Sequence, residues 1–508
     1  MRKNKTIVLL LIILSLATFF RFWQLSSLPP GLWPDEAVNA NTAVNIFETK
    51  NFEVFYPENH GREGLFFLLI SFAFSIFGIS LWSFKLTSAL AGVLTVLGQY
   101  LLSLELFGKR AIALLSAFFL SISFWHINFS RIGFRAILVP LVLTFSLYFF
   151  FRGIRTKNIW NFILSGAVFG LGFHTYISFR MAVIPLAFVL IYWLFISIKE
   201  GWRNRFLRLS LVFMITMVLV ALPIGIYFLK TPGDFISRAT GVSVFSQESP
   251  IKELIKSTAI HLQMFNFIGD RNLRHNIPGT PQLGVIVGLF FIIGIAWGIK
   301  RLITAFREKD FKNSNEIGII SLLIISLFSF ILPSALTVEG IPHALRTIGV
   351  IPFAYLFAGI GANICYQKMK RSALTKNAFY LLLIFITISS FYSYFFCWGK
   401  NSEIKNAFTV RFYELGKELN DLPLETNKYV IKSEGDLPTE VIKFTEKTVG
   451  RSDNAVFIDS NQIQLTEFTK GDIIFTMNKE IAPLNFIREH YPEGTLYERD
   501  SFWIYELR

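Results

Sequence analysis

The sequence predicts a polytopic α-helical membrane protein with about eleven transmembrane helices, followed by a small α/β domain outside the membrane. Three observations predict it. Charged residues make up 17% of the chain and hydrophobic residues 53%, with 56 Phe among 508 residues, whereas soluble globular chains carry about 25% charged residues. Apolar runs of roughly 17 to 25 residues recur, long enough for a helix to cross a hydrocarbon core of about 30 Å. From Gly399 onward these runs stop, and short strand-like segments of ordinary polarity begin. In lipid every backbone donor and acceptor must pair within its own segment, so the apolar runs are expected as helices.

The elements follow in order. MRKNK and the run TIVLLLIILSLATFF resemble a secretory signal, but no small-residue cleavage site follows them. Arg21, Phe22 and Trp23 read as an interfacial anchor, so the segment 5–23 is expected to remain as a first span. Further spans are expected at 82–106, 111–128, 136–151, 158–174, 181–198, 206–229, 283–299, 317–333, 347–366 and 377–398. Basic loops alternate between them. Gly108 to Arg110, Arg152 to Lys157, Lys199 to Arg208, Lys300 to Lys312 and Lys368 to Lys376 share one side with Arg2, Lys3 and Lys5. By the positive-inside rule that side is cytoplasmic. Leu65 to Gly78 is apolar but only about 14 residues long, the length of an interfacial or re-entrant helix. Counting it as a crossing would turn the basic loops outward. It is therefore expected on the outer surface beside Ala37 to Thr49, where Val38, Ala43, Val44, Ile46 and Phe47 mark an amphipathic interfacial helix.

A transmembrane domain over 1–398 then presents the loops 24–81, 129–135, 175–180, 230–282 and 334–346 on its outer face, together with a soluble α/β domain over 399–508. In the latter, Arg411 to Leu419 and Glu440 to Thr448 read as helices, and YVIK, AVFIDS, DIIFTM, TLYER and FWIYEL as strands. It carries no catalytic motif, which suits a lid or docking surface better than a second active site. The net charge of +14 gathers in short loops and not along one polar face, so nucleic acid is not an expected partner and membrane lipids are. Cys365 and Cys397 form neither a disulfide framework nor a zinc motif. No internal repeat of the kind found in secondary transporters is apparent.

Nearly every residue with chemical potential falls on the outer side. Asp35 and Glu36 follow SSLPPGLWP just past the first span. Adjacent carboxylates beside an apolar surface can have pKa values suited to deprotonating a hydroxyl; equally, Asp35 can be a helix N-cap with Glu36 in the first turn. Glu63 in HGREGL can hold a divalent cation or orient a substrate, and Arg62 can meet a phosphate, or both can be polar residues at a helix start. Arg131 and Arg135 in FSRIGFRA are suited to bidentate phosphate capture, or to snorkelling at the boundary. The stretch GDRNLRHNIPGTPQLG gathers Asp270, Arg271, Arg274 and His275, with His261 upstream. Either histidine is a candidate metal ligand or an ordinary hydrogen-bonding residue. In EGIPHALR, with Glu339, the residues His343 and Arg346 are three apart, as on one face of a helix, and could contact a phosphate. His174, Tyr176 and Arg180 read as interface anchors.

The stretches FRFWQLSSLPPGLWPDEAVNANTAVNIF, HGREGLFFLL, SRIGFRAILVP, HTYISFRMAVIP, GDRNLRHNIPGTPQLG and EGIPHALRTIGVIP, in order over residues 15 to 355, resemble bacterial members of the dolichyl-phosphate-mannose protein mannosyltransferase family. These are GT-C membrane glycosyltransferases, related to the aminoarabinose transferase of lipid A. The resemblance implies a polyprenyl-phosphate sugar donor, an outer-facing active site and inverting displacement onto a lipid, glycan or protein acceptor. It implies Asp35 as catalytic base with Glu36 its acidic companion. Glu63 is implied as a metal or substrate ligand, and Arg131, with the basic residues Arg271, Arg274, His343 and Arg346, in binding substrate. The residues' own chemistry adds Arg62 and Arg135 as candidate substrate contacts and His275 as a second candidate ligand for a divalent ion. Where relatives often carry proline before the interfacial helix, this chain has Gly64. A transporter or flippase of a lipid-linked saccharide is the alternative from another class, although its ionisable residues would be expected near mid-membrane.

Overall fold

The computed structural model describes residues 3–235, 243–308, 314–432, 435–451, 454–479 and 481–508. Residues 236–242 of the large outer loop and 309–312 of the basic loop expected at 300–312 lie outside the described residues. In chain order the helices are α1 (Lys3–Phe22), α2 (Pro34–Thr49), α3 (Leu65–Phe77), α4 (Leu81–Phe107), α5 (Arg110–Ser121), α6 (Phe124–Phe129), α7 (Leu138–Thr156) and α8 (Ile159–Gly172). They continue as α9 (Val183–Lys199), α10 (Arg203–Lys230), α11 (Pro250–Gln263), α12 (Val285–Arg307), α13 (Ser314–Ala335), α14 (Ile351–Met369) and α15 (Ala373–Tyr392). Among the described residues nine helices are long and apolar enough to cross a membrane, as expected of a polytopic membrane protein.

Two expected spans are shorter than their apolar runs. The run 111–128 is divided: α5 ends at Ser121, and Ser123 starts α6 by accepting the His126 N–H in its side chain. The 12-residue α5 and 14-residue α8 rise about 20 Å at 1.5 Å per residue, less than the hydrocarbon thickness.

The chain divides into two compact units. The first comprises residues up to Trp23, Glu53–Phe66 and Ser88–Trp398. Small residues let its helices approach closely. A Cβ on Gly294 would sit 2.0 Å from the Phe357 carbonyl oxygen, and one on Gly361 would sit 1.9 Å from that of Phe290, so α12 and α14 pack backbone against backbone. Along α14, Ile351–Ala362 is buried without interruption.

The second unit comprises Gln24–Phe52, Phe67–Thr87 and Gly399–Arg508. Its sheet has β1 (Lys428–Lys432) between β2 (Val456–Asp459) and β3 (Ile473–Thr476), all parallel. Beyond β3 run β5 (Trp503–Glu506) and the edge strand β4 (Thr495–Glu498), both paired antiparallel. Ile431, Ile458, Ile474, Ile487 and Tyr505 form a core on the sheet. The expectation for α2 is corrected within this unit. Val38 and Phe47 are only half-buried, while Ala37, Ala40, Ala43 and Val44 are fully buried. The Asn41 amide donates to both the Glu440 carbonyl and its carboxylate, at 2.9 and 2.8 Å, so α2 packs on the helix Thr439–Lys447 and not only on an interface. Phe74 and Phe84 meet the Phe444 ring on that same helix.

Candidate functional site

The acidic pair lies in the first turn of α2, where Pro34 supplies a helix-ready φ at the first position and the N-terminal dipole favours negative charge. Trp33, not Asp35, occupies the cap position. The Glu36 carboxylate, 1% exposed, accepts the Trp33 N–H at 3.1 Å. That contact ties Glu36 to the start of α2. Asp35, half-buried, keeps part of its surface open.

In the first unit, Phe55–Tyr56 and Arg62–Glu63 pair as a short antiparallel hairpin. Glu63 accepts from Arg135 Nε at 2.6 Å, and both side chains are buried. Arg135 Nη2 also donates to the Gly61 carbonyl at 2.9 Å, and its guanidinium lies over the Tyr176 ring. The Arg135 guanidinium is thus the counter-ion of Glu63 in this structure. Arg62 reaches the Glu58 carbonyl and lies over Tyr56. His174 and Tyr176 are buried, with His174 Nε2 2.9 Å from the Val220 carbonyl oxygen, so they pack inside instead of at an interface.

Two arginines depart from expectation. Arg21, expected at the interface, is fully buried; it reaches the carbonyls of Ala17, Leu120 and Ser121 and lies 2.7 Å from His126 Nδ1. Arg131, expected to capture phosphate, is equally buried and donates to the carbonyls of Phe20 and Trp23 at 2.8 and 2.7 Å. Both guanidiniums satisfy carbonyls at helix C-terminal ends, where the dipole favours cations. A buried arginine held in this way is poorly placed to take a lipid phosphate.

The densest polar grouping is in the loop 269–283 and the turn 343–347. Asp270 Oδ1 accepts the Asn272 N–H, while Oδ2 accepts the Ala344 N–H at 2.8 Å and lies 2.9 Å from His275 Nδ1. The His275 and His343 rings are 4.9 Å apart. Asp270, His275 and His343 each offer a ligand atom, and these atoms all lie within 4.8 Å of one another. Imidazole and carboxylate are donors of the zinc type. With Nδ1 facing Asp270, His275 would ligate through Nε2 beside His343, and Asp270 would orient it from behind and not itself ligate. Three side-chain donors fix the backbone here: Asn128 to the Arg274 carbonyl, Trp398 to that of Leu273, and Trp125 to that of Ala344. Asp270 stood out in the sequence only as a neighbour of His275, and its bond to residue 344 crosses 74 positions that no local pattern links.

His343 and Arg346 lie in a turn, not on a helix, and the Arg346 N–H reaches His343 Nδ1 at 3.4 Å. Arg346 Nη1 donates to Thr337 Oγ1 and the Glu339 carbonyl. Arg271 is exposed and Arg274 half-buried beside Asn272. His261 lies between the Ser257 carbonyl and Ser334 Oγ. Burial pushes its pKa down and Arg346 adds to this, against the Ser257 carbonyl and Asp270.

Residues 64–226 match the model of the dolichyl-phosphate-mannose-protein mannosyltransferase family. The Bacillus subtilis (strain 168) protein YkcB, provisionally named a mannosyltransferase, is 28% identical over 200 residues, which cover 38% of this chain and 27% of that protein. The chain spans about a quarter of the length of the curated relatives it matches, 27% in each. The structure of ArnT from Cupriavidus metallidurans bound to undecaprenyl phosphate superposes with a TM-score of 0.53 at 13% identity, covering 99% of this chain and 97% of that one. The Archaeoglobus fulgidus oligosaccharyltransferase, in complex with Zn and sulfate, gives 0.50 at 14% identity over 98% of this chain and 73% of its own. At such identities the likeness to the solved structures is one of fold.

Proposed function

We propose that this chain is a GT-C membrane glycosyltransferase of the dolichyl-phosphate-mannose-protein mannosyltransferase type, and that it moves a mannose-like hexose from a polyprenyl-phosphate carrier to a hydroxyl acceptor on the outer face of the membrane. The side is inferred from the loops: the basic ones alternate to one face, and the acidic pair and the Asp270 cluster fall on the other. The carrier is inferred from the undecaprenyl phosphate bound to ArnT, which shares this fold.

The observation that carries the reading is the placement of the acidic pair in the first turn of α2, past the first span. Glu36 accepts the Trp33 N–H, and Asp35 beside it, half-buried, is assigned the role of base. Asp35 takes the proton of the acceptor hydroxyl as its oxygen bonds to the anomeric carbon. The bond from that carbon to the phosphate oxygen breaks with its electron pair, and polyprenyl phosphate departs with inversion of the sugar. Within the first unit, Arg271, Arg274 and Arg346 are the candidate phosphate-binding cations. His275 and His343, with Asp270 orienting His275, would hold a divalent ion where one binds, and such an ion supplies positive charge.

Purified protein in vesicles with radiolabelled polyprenyl-phosphate mannose should release free polyprenyl phosphate. Asp35→Asn should lose about 10² to 10⁴ in turnover, the worth of a general base, while remaining folded. Near-normal turnover of that variant would remove Asp35 from the chemistry, and passage of intact donor across the vesicle wall would mark a transporter.

A further inference from the structure

The chain reaches the acidic pair without regular structure. Residues 24–33 contain no helix or strand, so no ladder pairs their carbonyls, and the buried ones need donors from elsewhere. Leu32 is fully buried, and its carbonyl accepts from the Thr409 hydroxyl at 2.8 Å. Thr409 makes this bond at φ 47°, in the left-handed region that a β-branched residue rarely adopts. Gly31 lies against the same segment. Its φ is 63°, and a Cβ there would come 3.2 Å from the Phe408 carbonyl oxygen. Downstream on α2, the buried Asn41 amide donates to the Glu440 carbonyl and to Oε2 of its carboxylate, while Oε1 lies 2.8 Å from Lys443 Nζ. Asp35 is thus bracketed, with one anchor at Leu32 and the other at Asn41.

Both anchors belong to one piece of the C-terminal domain. Thr409 caps the start of the helix Val410–Asp421, and Glu440 stands in the first turn of Thr439–Lys447. A Cβ on Gly416 of the first helix would sit 2.7 Å from Thr445 Cβ of the second. The Asn420 amide donates to the Thr445 carbonyl at 3.0 Å. Two helices packed this closely transmit a displacement instead of absorbing it.

We infer that the C-terminal domain is part of the catalytic apparatus, with Thr409 and Glu440 as positioning residues that hold the first turn of α2, and with it Asp35, in place. A general base must lie within hydrogen-bond reach of its proton, and misplacement by about 1 Å can cost roughly 10²-fold in rate. A turn tied at Leu32 and again at Asn41 has little freedom to make that error. This role exceeds that of a lid or docking surface. It rests on the reading of Asp35 as base and deepens it by naming what sets the position of that base.

The test compares the full chain in lipid vesicles as parent, Thr409→Val, Thr409→Ser and Asn41→Leu. Ile474→Val, in the core on the sheet, serves as a control that loosens the same domain elsewhere. Amide hydrogen exchange in 33–41, read by mass spectrometry, should quicken about tenfold in Thr409→Val and Asn41→Leu, the effect of roughly one lost hydrogen bond. Thr409→Ser keeps the hydroxyl and should exchange as the parent does, as should Ile474→Val. In release of polyprenyl phosphate from radiolabelled polyprenyl-phosphate mannose, kcat should fall about 10- to 100-fold in Thr409→Val and Asn41→Leu, with KM for the donor within about twofold. Thr409→Ser should restore it. In an Asp35→Asn background Thr409→Val should cost nothing further, because the group it positions is gone. Unchanged exchange in 33–41, an equal loss of kcat in Ile474→Val, or additive losses with Asp35→Asn would each overturn the inference. An inactive Asp35→Asn beside fully active Thr409→Val and Asn41→Leu would refute this inference alone. Near-normal turnover of Asp35→Asn, or no release by the parent, would refute the base reading, and the exchange measurement then decides the bracing of α2 by itself.

Discussion

Replacing Glu63 with Gln strands a guanidinium. Arg135 is 8% exposed and Glu63 3%, so neither charge has much water to fall back on when the 2.6 Å contact is lost. Removing one partner of a buried ion pair costs about 3–5 kcal/mol. Arg135 keeps the Gly61 carbonyl and the Tyr176 face, which places the expected loss near the lower bound, about 3 kcal/mol, or roughly a hundredfold in the folded-to-unfolded ratio. Glu63→Leu with Arg135→Met removes both charges and should return to within about 1 kcal/mol of the parent, because apolar replacements of a buried pair are often neutral or better. The assay is denaturant unfolding in detergent micelles, followed by Trp fluorescence for the parent, both single variants and the pair. Single variants as stable as the parent, or a double variant worse than either single, would refute the view that Glu63 serves Arg135. A stable but inactive Glu63→Gln would return the residue to substrate or metal.

Three further outcomes are expected. Glu36→Ala should cost about 0.5–2 kcal/mol through the weakened start of α2 and leave transfer far less affected than Asp35→Asn does, measured as turnover per folded molecule. His261 is held below the ordinary histidine range, so the unfolded chain takes up a proton first. Stability should be level above about pH 6.5 and fall as pH drops below it. His261→Asn should flatten that slope in melting curves taken from pH 8 to 5. Zinc retained after purification should be lost in His275→Ala and His343→Ala and bound about 10 to 100 times more weakly in Asp270→Asn. Metal analysis by plasma mass spectrometry checks this, and equal zinc in all three variants would dismiss the site.

Periodicity and length made most of the helices legible, because a crossing helix must be about 20 apolar residues long and the chain has little freedom to disguise that. The break in 111–128 was not legible. Ser123 starts a new helix there through one side-chain bond that any serine in an apolar run could make or leave unmade. The five strands of the second unit were legible from alternation, but the packing of α2 on Thr439–Lys447 was not, since Asn41 and Glu440 are 399 residues apart. The same limit governs the site. Glu63 and Arg135, or Asp270 and Ala344, become partners only through the fold. Arg21 and Arg131 misled for a related reason: an arginine at the end of an apolar run looks alike whether it reaches toward headgroups or inward toward a neighbour's carbonyls.

The burial of Arg21 bears on how the chain is assembled at the ribosome. Its acceptors are the Ala17 carbonyl in its own helix and those of Leu120 and Ser121, with His126 alongside. Until α5 has been made those distant acceptors do not exist, and an unattended guanidinium is costly in an apolar medium. The first helix therefore reaches its native surroundings only once α5 is present to receive the charge, which makes the fifth helix a foster parent to the first.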